Sequence, residues 1–509
     1  MSEDISPNVT LLGFAAIVDA VHGKAVFGCS SHKNVSITSR FCFSSVHTDS
    51  RKVVDNSLFV PLKGEKVDGH TFIPEALKNG ASCVFIENAD YEQNKNGYTA
   101  LGEKFPDAVF IVVESALCAL QDAARAYVKQ FKNIKKIAVT GSSGKTTTKE
   151  ILAAIFRTAL GSKNVICNEG NLNSDIGLPL SVFRINAGHT VGIFEMGMNR
   201  KGEIAELASI LVPDYAIITN VGTAHIGILG SRYAIAAEKK NVFSHFTKSC
   251  KGFIPDANKC DDTEYSAFLQ ENVLGEIATF GDAALCGISA ITDCGINGFE
   301  FLLAGNKVHF PLCGAHNFKN MLGAISIAQS FGISDEKIAQ ALPQVQTGFA
   351  RSQIVECGGI HLIQDCYNAN PDSMAAALDF TATIASRKIF VLGDMKELGS
   401  ESEKAHAQIA QKALKSGASV IVFFGENFQQ ALNRALGEIK QDNTEILVFG
   451  TYTDSDIEEA AQKINAVLQT GDTVLLKASR SVALERIAPL LQASLVASSV
   501  ASAPGVRYA

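Results

Sequence analysis

The chain has 509 residues, with 45 Lys+Arg against 52 Asp+Glu for a formal charge of −7, and 47% of its residues are hydrophobic. That length suggests about three domains, and the apolar share excludes an intrinsically disordered chain. The mild acidity argues against a protein built on non-specific nucleic-acid binding. The 12 cysteines stand singly, without a C-x-x-C pair, which reads as reduced thiols in a cytosolic protein rather than a disulfide framework or zinc site.

The first residues, MSEDISPNVT, are acidic and polar, unlike a signal peptide. Beyond them the pattern predicts a strand over Ser57–Leu62, a helix over Phe72–Lys78 stopped at Gly80, and strands over Ser82–Ile86 and Ala108–Val113. A helix over Leu117–Phe131 opens a second unit. There a strand from Lys135 is followed by a helix over Thr146–Leu160, a strand over Thr190–Met196, a helix over Lys201–Leu211 and a strand over Tyr215–Val221. Strands this uniformly apolar belong to a parallel sheet covered on both faces. A helix from Gly314 leads to a boundary near Gln346. Strands over Lys388–Leu392, Ser419–Phe424, Ile446–Phe449 and Thr473–Lys477, each followed by a helical pattern, predict a Rossmann-like third unit. The uncharged stretch Ile487–Val506 contains Pro489, Pro504 and many serines. It reads as a last helix and a flexible tail, not a membrane span. The predicted class is α/β in three domains: a small α/β N-terminal domain (1–113), a central P-loop doubly wound domain (114–346) and a C-terminal Rossmann-like domain (347–509).

The strongest local signal is Ile137–Glu150, IAVTGSSGKTTTKE. A buried strand runs into Gly141-Ser142-Ser143-Gly144-Lys145-Thr146 and then a helix. Backbone amides and the helix N-terminus would cradle phosphates, Lys145 would neutralise the β/γ-phosphates, and the Thr146 hydroxyl would bind Mg²⁺. Two residues separate Gly141 from the Gly-Lys pair, where the common P-loop has four. The bland alternative is an ordinary Gly-rich turn. Glu195 ends one strand and His225 follows another, so both belong at the sheet edge where open α/β sheets bind ligands. Lys239, in AEKKNVF, is by itself a residue of a solvated helix face.

Further segments carry a family resemblance that runs over nearly the whole chain. They are TGSSGKTTTKE, GNLNSDIGLPL (Gly170–Leu180), EMGMNRKGEI, ITNVGTAHIGILGS, AEKKNVF, GAHNFKNMLGA (Gly314–Ala324), FARSQIVE and QDCYNANPDSM (Gln364–Met374). In this order they resemble the Mur ligases of bacterial cell-wall synthesis. YNANPDSM and LGDMKELG resemble the branch that adds D-Ala-D-Ala last. HTDSRKVVDNSLFVPLKGEKVDGHTF resembles the uridine-nucleotide domain shared with the branch that adds the third amino acid. LLKASRSVALE (Leu475–Glu485) departs by Ala478 where Gly is usual, and Ser174 replaces a frequent Asn.

The resemblance implies a cytoplasmic, monomeric enzyme without nucleic-acid or membrane partners. It would join D-Ala-D-Ala to UDP-MurNAc-tripeptide through an acyl phosphate, using ATP and Mg²⁺. The first domain would bind the uridine nucleotide and the second ATP; the third would bind the dipeptide and complete the ATP site. The ATP residues implied are Thr140, Gly141, Ser142, Ser143, Gly144, Lys145, Thr146, Thr147, Asn317, Asn320, Arg351 and Asp365. Thr146, Glu195, His225 and Lys239, the last as a CO₂-derived carbamate, are implied as metal ligands. Lys145, Glu195, His225 and Lys239 would be the catalytic group. Ser50, Arg51, Asn171, Asn173, Asn368, Asn370, Lys477, Ser479 and Arg480 are implied on the substrate side. The competing expectations are a related ligase that adds a single amino acid and a nucleotide-gated switch that ligates nothing.

Overall fold

A computed structural model describes residues 14–27, 43–257, 263–346, 348, 350–435 and 444–491. The expectations for MSEDISPNVT, and for the helix and tail beyond residue 491, lie outside the described residues.

The first unit is a five-stranded sheet. Its strands are β1 (Lys24–Phe27), β2 (Ser45–His47), β3 (Ser57–Phe59), β4 (Ala81–Glu87) and β5 (Val109–Val113), in spatial order β1-β5-β4-β3-β2. Only the edge strand β1 runs antiparallel. The predicted strand at Ser57 stops at Phe59, three residues early.

Helix α1 (Ala116–Val128) is capped by the Ser115 hydroxyl, which accepts from the Cys118 amide. Its apolar face shares one core with both the first and second units: Ala119, Leu120 and Ala123 lie with Phe85 and Ile111 on one side and Leu178 and Ile204 on the other. The helix therefore cements two domains rather than simply opening the second.

The second unit is a six-stranded parallel sheet: β6 (Lys135–Thr140), β7 (Val165–Cys167), β8 (Val191–Glu195), β9 (Tyr215–Ile218), β10 (Lys251–Pro255) and β11 (Glu276–Phe280). The order β11-β10-β9-β6-β8-β7 places β6 between β8 and β9. The chain direction across the sheet reverses at β6, so the loops after β6, β8 and β9 open at one edge. Ligands bind at such switch points. Helix α2 (Lys145–Leu160) follows β6, α3 (Glu203–Leu211) follows β8 and α4 (Arg232–Lys240) follows β9; α5 (Ala315–Phe331) packs against α2.

The unit also carries a three-stranded antiparallel sheet that the pattern did not predict: β12 (Ile288–Asp293), β13 (Phe299–Leu303) and β14 (Asn306–Phe310). In β13 buried and half-buried residues alternate, the period-2 signature of a sheet with one covered face.

The third unit has β15 (Gln353–Cys357), β16 (Ile360–Gln364), β17 (Lys388–Gly393), β18 (Val420–Phe424), β19 (Glu445–Phe449) and β20 (Thr473–Lys477), in order β15-β16-β20-β17-β18-β19. All pairs are parallel except β15 with β16. Helix α6 (Pro371–Thr383) starts with a reciprocal capping box between Asn370 and Ser373, and α7 (Ser402–Leu414) follows β17. After β20 the chain makes two 3₁₀ turns, Arg480–Val482 and Leu484–Arg486, and the expected helix begins at residue 487 and runs to the end of the described residues at 491.

Candidate active site at the edge of the central sheet

The loop after β6 is shaped by two glycines. Gly141 has φ +150° and Gly144 φ +79°, the second in the left-handed region that favours glycine. A Cβ on Gly141 would overlap Thr219 Oγ1, and one on Gly144 would overlap Asn320 Oδ1. The Thr219 hydroxyl donates to the Ser143 carbonyl over 2.5 Å. Asn220 Oδ1 accepts from the amides of Ser142 at 3.0 Å and Ser143 at 2.9 Å. Those two amides, assigned to phosphate by the loop's sequence, are thus engaged by Asn220, whereas the first-turn amides of a helix have no partner within the helix. Thr140, buried at the end of β6, carries the loop, and Thr147 lies in that first turn. Lys145 Nζ folds back to donate to the Gly141 carbonyl at 2.9 Å. Burial lowers its pKa, against the opposing charges of Glu195 and Glu397.

Glu195 is buried at the end of β8. Its Oε2 accepts from Thr146 Oγ1 at 2.6 Å and its Oε1 from Asn173 Nδ2 at 2.7 Å. Asn168 clamps the same residue through its backbone, accepting from the Glu195 amide at 2.9 Å and donating to its carbonyl at 3.0 Å. Sequence reasoning missed Asn168, Thr219 and Asn220. The last two share one legible signal with Glu195: polar residues at the end of a buried strand.

Lys239 is 1% exposed, so the expectation of a solvated face for the bare EKK run is wrong. Only its neighbour Lys240 reaches outward, to the Phe268 carbonyl at 2.6 Å. Lys239 Nζ contacts Met198 Sδ at 3.9 Å. Burial first, and the Lys145 charge second, push its pKa well below the ordinary lysine range. Glu238 is spent on the amides of Gly202 and Ile204.

Side chains of the third unit meet these loops, in addition to a backbone hydrogen bond from the Gly227 amide to the Glu397 carbonyl at 3.1 Å. Asp372 Oδ2 accepts from the Thr223 amide at 2.6 Å and hydroxyl at 2.7 Å. Asn370 Nδ2 donates to Ser143 Oγ at 3.2 Å. His225 Nδ1 lies 2.6 Å from Glu397 Oε2.

On the far side of the loop, Asn320 touches Gly144, and Asn317 Nδ2 donates to the Cys313 carbonyl at 2.8 Å. Asp365 Oδ2 pairs with Lys477 Nζ at 2.5 Å, and its Oδ1 accepts from the Ser352 amide at 3.1 Å. The Arg351 guanidinium stacks on the Tyr367 ring at 3.8 Å, with Arg480 5.8 Å from the same ring centroid. Lys477, expected on the dipeptide side, is therefore paired with the carboxylate expected to hold ribose.

The other expected residues fall as follows. The Ser50 hydroxyl donates to Glu75 Oε2 at 2.7 Å, while Arg51 is exposed and paired with Asp49 at 2.8 Å. Asn171 and Asn368 are exposed. The Ser479 hydroxyl is buried, donating to the Ala369 carbonyl at 3.3 Å and accepting from the Lys396 amide at 3.0 Å. A separate group, Asp68, His70 and Asp90, is satisfied internally: His70 Nδ1 meets Asp68 Oδ1 at 2.7 Å and its Nε2 accepts from the Glu87 amide at 3.2 Å.

Hard divalent cations prefer oxygen donors. The Thr146 hydroxyl and Glu195 carboxylate are adjacent oxygens at the end of the central sheet. This donor set fits Mg²⁺.

Residues 43–128 match the Mur ligase family catalytic domain, 139–328 the Mur ligase middle domain and 350–480 the Mur ligase glutamate ligase domain. The chain is 42% identical over 483 residues to the UDP-N-acetylmuramoyl-tripeptide--D-alanyl-D-alanine ligase of Treponema pallidum, covering 95% of this chain and 99% of that protein. Its fold matches a crystal structure of MurF from Acinetobacter baumannii with a TM-score of 0.81 at 25% identity, over 96% of this chain and 100% of that one. It also matches the MurF ligase of Thermotoga maritima in complex with ADP, with a TM-score of 0.73 at 26% identity, over 89% and 98% of the two chains. Among the described residues no helix is long and apolar enough to cross a membrane.

Proposed function

The chain belongs to the Mur ligase family, and on that premise we propose that it joins D-Ala-D-Ala to UDP-MurNAc-tripeptide at the expense of ATP, giving UDP-MurNAc-pentapeptide, ADP and phosphate. The observation that carries the reading is the convergence of Lys145, Thr146 and Glu195 at the switch point of the central sheet, in a chain 42% identical to the Treponema ligase.

The chemistry follows from the substrates. A carboxylate is a poor electrophile because its charge is delocalised and its leaving group would be oxide. Transfer of the γ-phosphoryl group to a carboxylate oxygen makes an acyl phosphate and releases ADP. The dipeptide amine adds to the acyl carbon, and the tetrahedral intermediate expels phosphate as the amide forms and the amine loses its proton.

Bringing a carboxylate to a polyanionic nucleotide costs about 4 kcal/mol per unit-charge pair at 4 Å and an effective dielectric of 20. Lys145 and the first-turn amides of α2 offset that repulsion. Thr146, Glu195, His225 and Lys239 would hold Mg²⁺, which supplies further charge neutralisation when bound. Arg351 reaches the phosphates from the third domain, Asp365 takes the ribose hydroxyls, and Asn317 and Asn320 serve the adenine side. Asn171 and Asn173 face the UDP-MurNAc-peptide, with Ser50 and Arg51 at its uridine diphosphate. Asn368, Asn370, Ser479, Arg480 and Lys477 surround the dipeptide side. Lys239 reacts as a neutral amine with CO₂ to give a carbamate, forming an N–C bond and releasing one proton; its burial beside Lys145 supports this. The enzyme works as a cytoplasmic monomer.

The test is ADP release with UDP-MurNAc-tripeptide and either D-Ala-D-Ala or single amino acids. Turnover with the dipeptide is expected; turnover only with an amino acid, or none with either, refutes the reading.

A further inference from the structure

We infer that Glu397 is a positioning residue for His225: a carboxylate of the third domain that aims a metal-binding imidazole of the second. This rests on the proposed role of His225 as a Mg²⁺ ligand.

The two residues meet across the domain boundary, Nδ1 to Oε2, at 2.6 Å. His225 Nδ1 is sealed from solvent, and Glu397 is the acceptor it faces. The approach is close but not aligned as a hydrogen bond, and a small turn of the neutral ring brings Nδ1–H onto the carboxylate. A carboxylate on one ring nitrogen of a histidine holds the ring's orientation and leaves the other nitrogen for a metal.

Both backbones take up the left-handed region at this contact. His225 has φ +63° and Glu397 φ +64°, the left-handed region that side-chain-bearing residues avoid. Two such residues facing each other from different domains mark a contact that the surrounding structure enforces.

Docking of the domains here does not need the carboxylate. The Gly227 amide donates to the Glu397 carbonyl at 3.1 Å. A Cβ on Gly227 would sit 2.7 Å from that carbonyl oxygen, and one on Gly399 would sit 2.8 Å from Gly227 Cα. Asp372 on Thr223 adds a second latch. Backbone-to-backbone approach thus seats the loop, and the Glu397 side chain meets the imidazole directly and feels the Lys145 charge at longer range. His225 is fully aimed only when the third domain is seated.

The experiment uses the full chain with ADP and Mn²⁺ as a spectroscopic stand-in for Mg²⁺, read by electron paramagnetic resonance, together with kcat and KM. Glu397→Ala is expected to weaken Mn²⁺ binding about tenfold and to lower kcat about 10–100-fold. KM for ATP should stay within about threefold, and the radius of gyration in solution should match the wild type. Glu397→Gln, whose amide oxygen can still accept from Nδ1–H, is expected to recover most of the Mn²⁺ affinity. Wild-type Mn²⁺ binding in Glu397→Ala, with His225→Ala weakened, overturns the inference. So does a loss in Glu397→Ala that appears only together with an expanded, undocked chain. Wild-type Mn²⁺ binding in His225→Ala overturns the ligand reading beneath it instead.

Discussion

The Thr146 hydroxyl donates to the Glu195 carboxylate over 2.6 Å. One oxygen belongs to the first turn of α2 and the other to the end of β8. The pair is preorganised, because Asn168 holds the Glu195 backbone and Asn173 its second carboxylate oxygen. Replacing Glu195 by Gln keeps the shape but removes the charge. Turnover is expected to fall on the order of 10²-fold, with a higher Mg²⁺ requirement and a melting temperature within a few degrees of wild type. Titrating activity against Mg²⁺ alongside thermal melts checks this.

Lys145 is held against its own loop by the Gly141 carbonyl, ready to turn toward phosphate oxygens. Lys145→Ala should lose at least about 10²-fold in turnover, comparable to removing a key charge stabiliser. Near-normal rates in a stopped ADP assay would contradict its assignment to the phosphates.

Gly144 combines φ +79° with contact to Asn320. Gly144→Ala places a methyl group against that amide and costs about 1–2 kcal/mol for the left-handed backbone alone. We expect lower thermal stability and weaker ADP binding together, measured by melting and by calorimetry. The double variant with Asn320→Ala should recover part of the stability.

Tyr367 offers its ring to Arg351, whose neighbours Ala350 and Ser352 both have positive φ. A cation–π contact is worth about 0.5–2 kcal/mol. Tyr367→Phe should therefore be close to neutral, while Tyr367→Leu should raise KM for ATP several-fold. Equal effects of the two variants would remove the stacking role.

Four histidines, His47, His189, His316 and His406, have pKa values held below 6.5, chiefly by burial. His406 shows why: its Nδ1 lies 2.7 Å from the Ser402 carbonyl and its Nε2 accepts from the Met395 amide at 3.0 Å. The neutral ring satisfies both, and a second proton would oppose the Met395 N–H. The unfolded chain then binds more protons than the folded one, so stability is full above about pH 6.5 and falls as pH drops toward the lowered values. Melting temperature from pH 7.5 to 5 should show this decline, and His406→Gln should show a shallower one.

The loop, the parallel strands and the position of Glu195 were legible in the sequence, because each depends on residues near one another in the chain. An apolar run makes a buried strand, glycines permit the turn, and a polar residue at a strand's end lies at the sheet edge. The antiparallel sheet from Ile288 to Phe310 was missed although β13 alternates. β12 is exposed after its first residue, and that hid the hairpin.

Lys239 and His225 mark the limit. Lys239 sits in a charged run that reads as solvated, and its burial under Met198 beside Lys145 depends on how α4 packs against α3 and the loops after β6 and β8. The links of His225 to Glu397 and of Thr223 to Asp372 join distant residues, so no local spacing reports them. The sequence by itself determined three α/β units and the phosphate loop, since these rest on local backbone preference and hydrophobic period, while the family came from the resemblance its motifs carry. Only the tertiary structure decided which loop amides Asn220 engages, which lysine is buried and which carboxylate faces the histidine. Those properties come from desolvation and from distances between separate domains, and neither exists until the chain has packed.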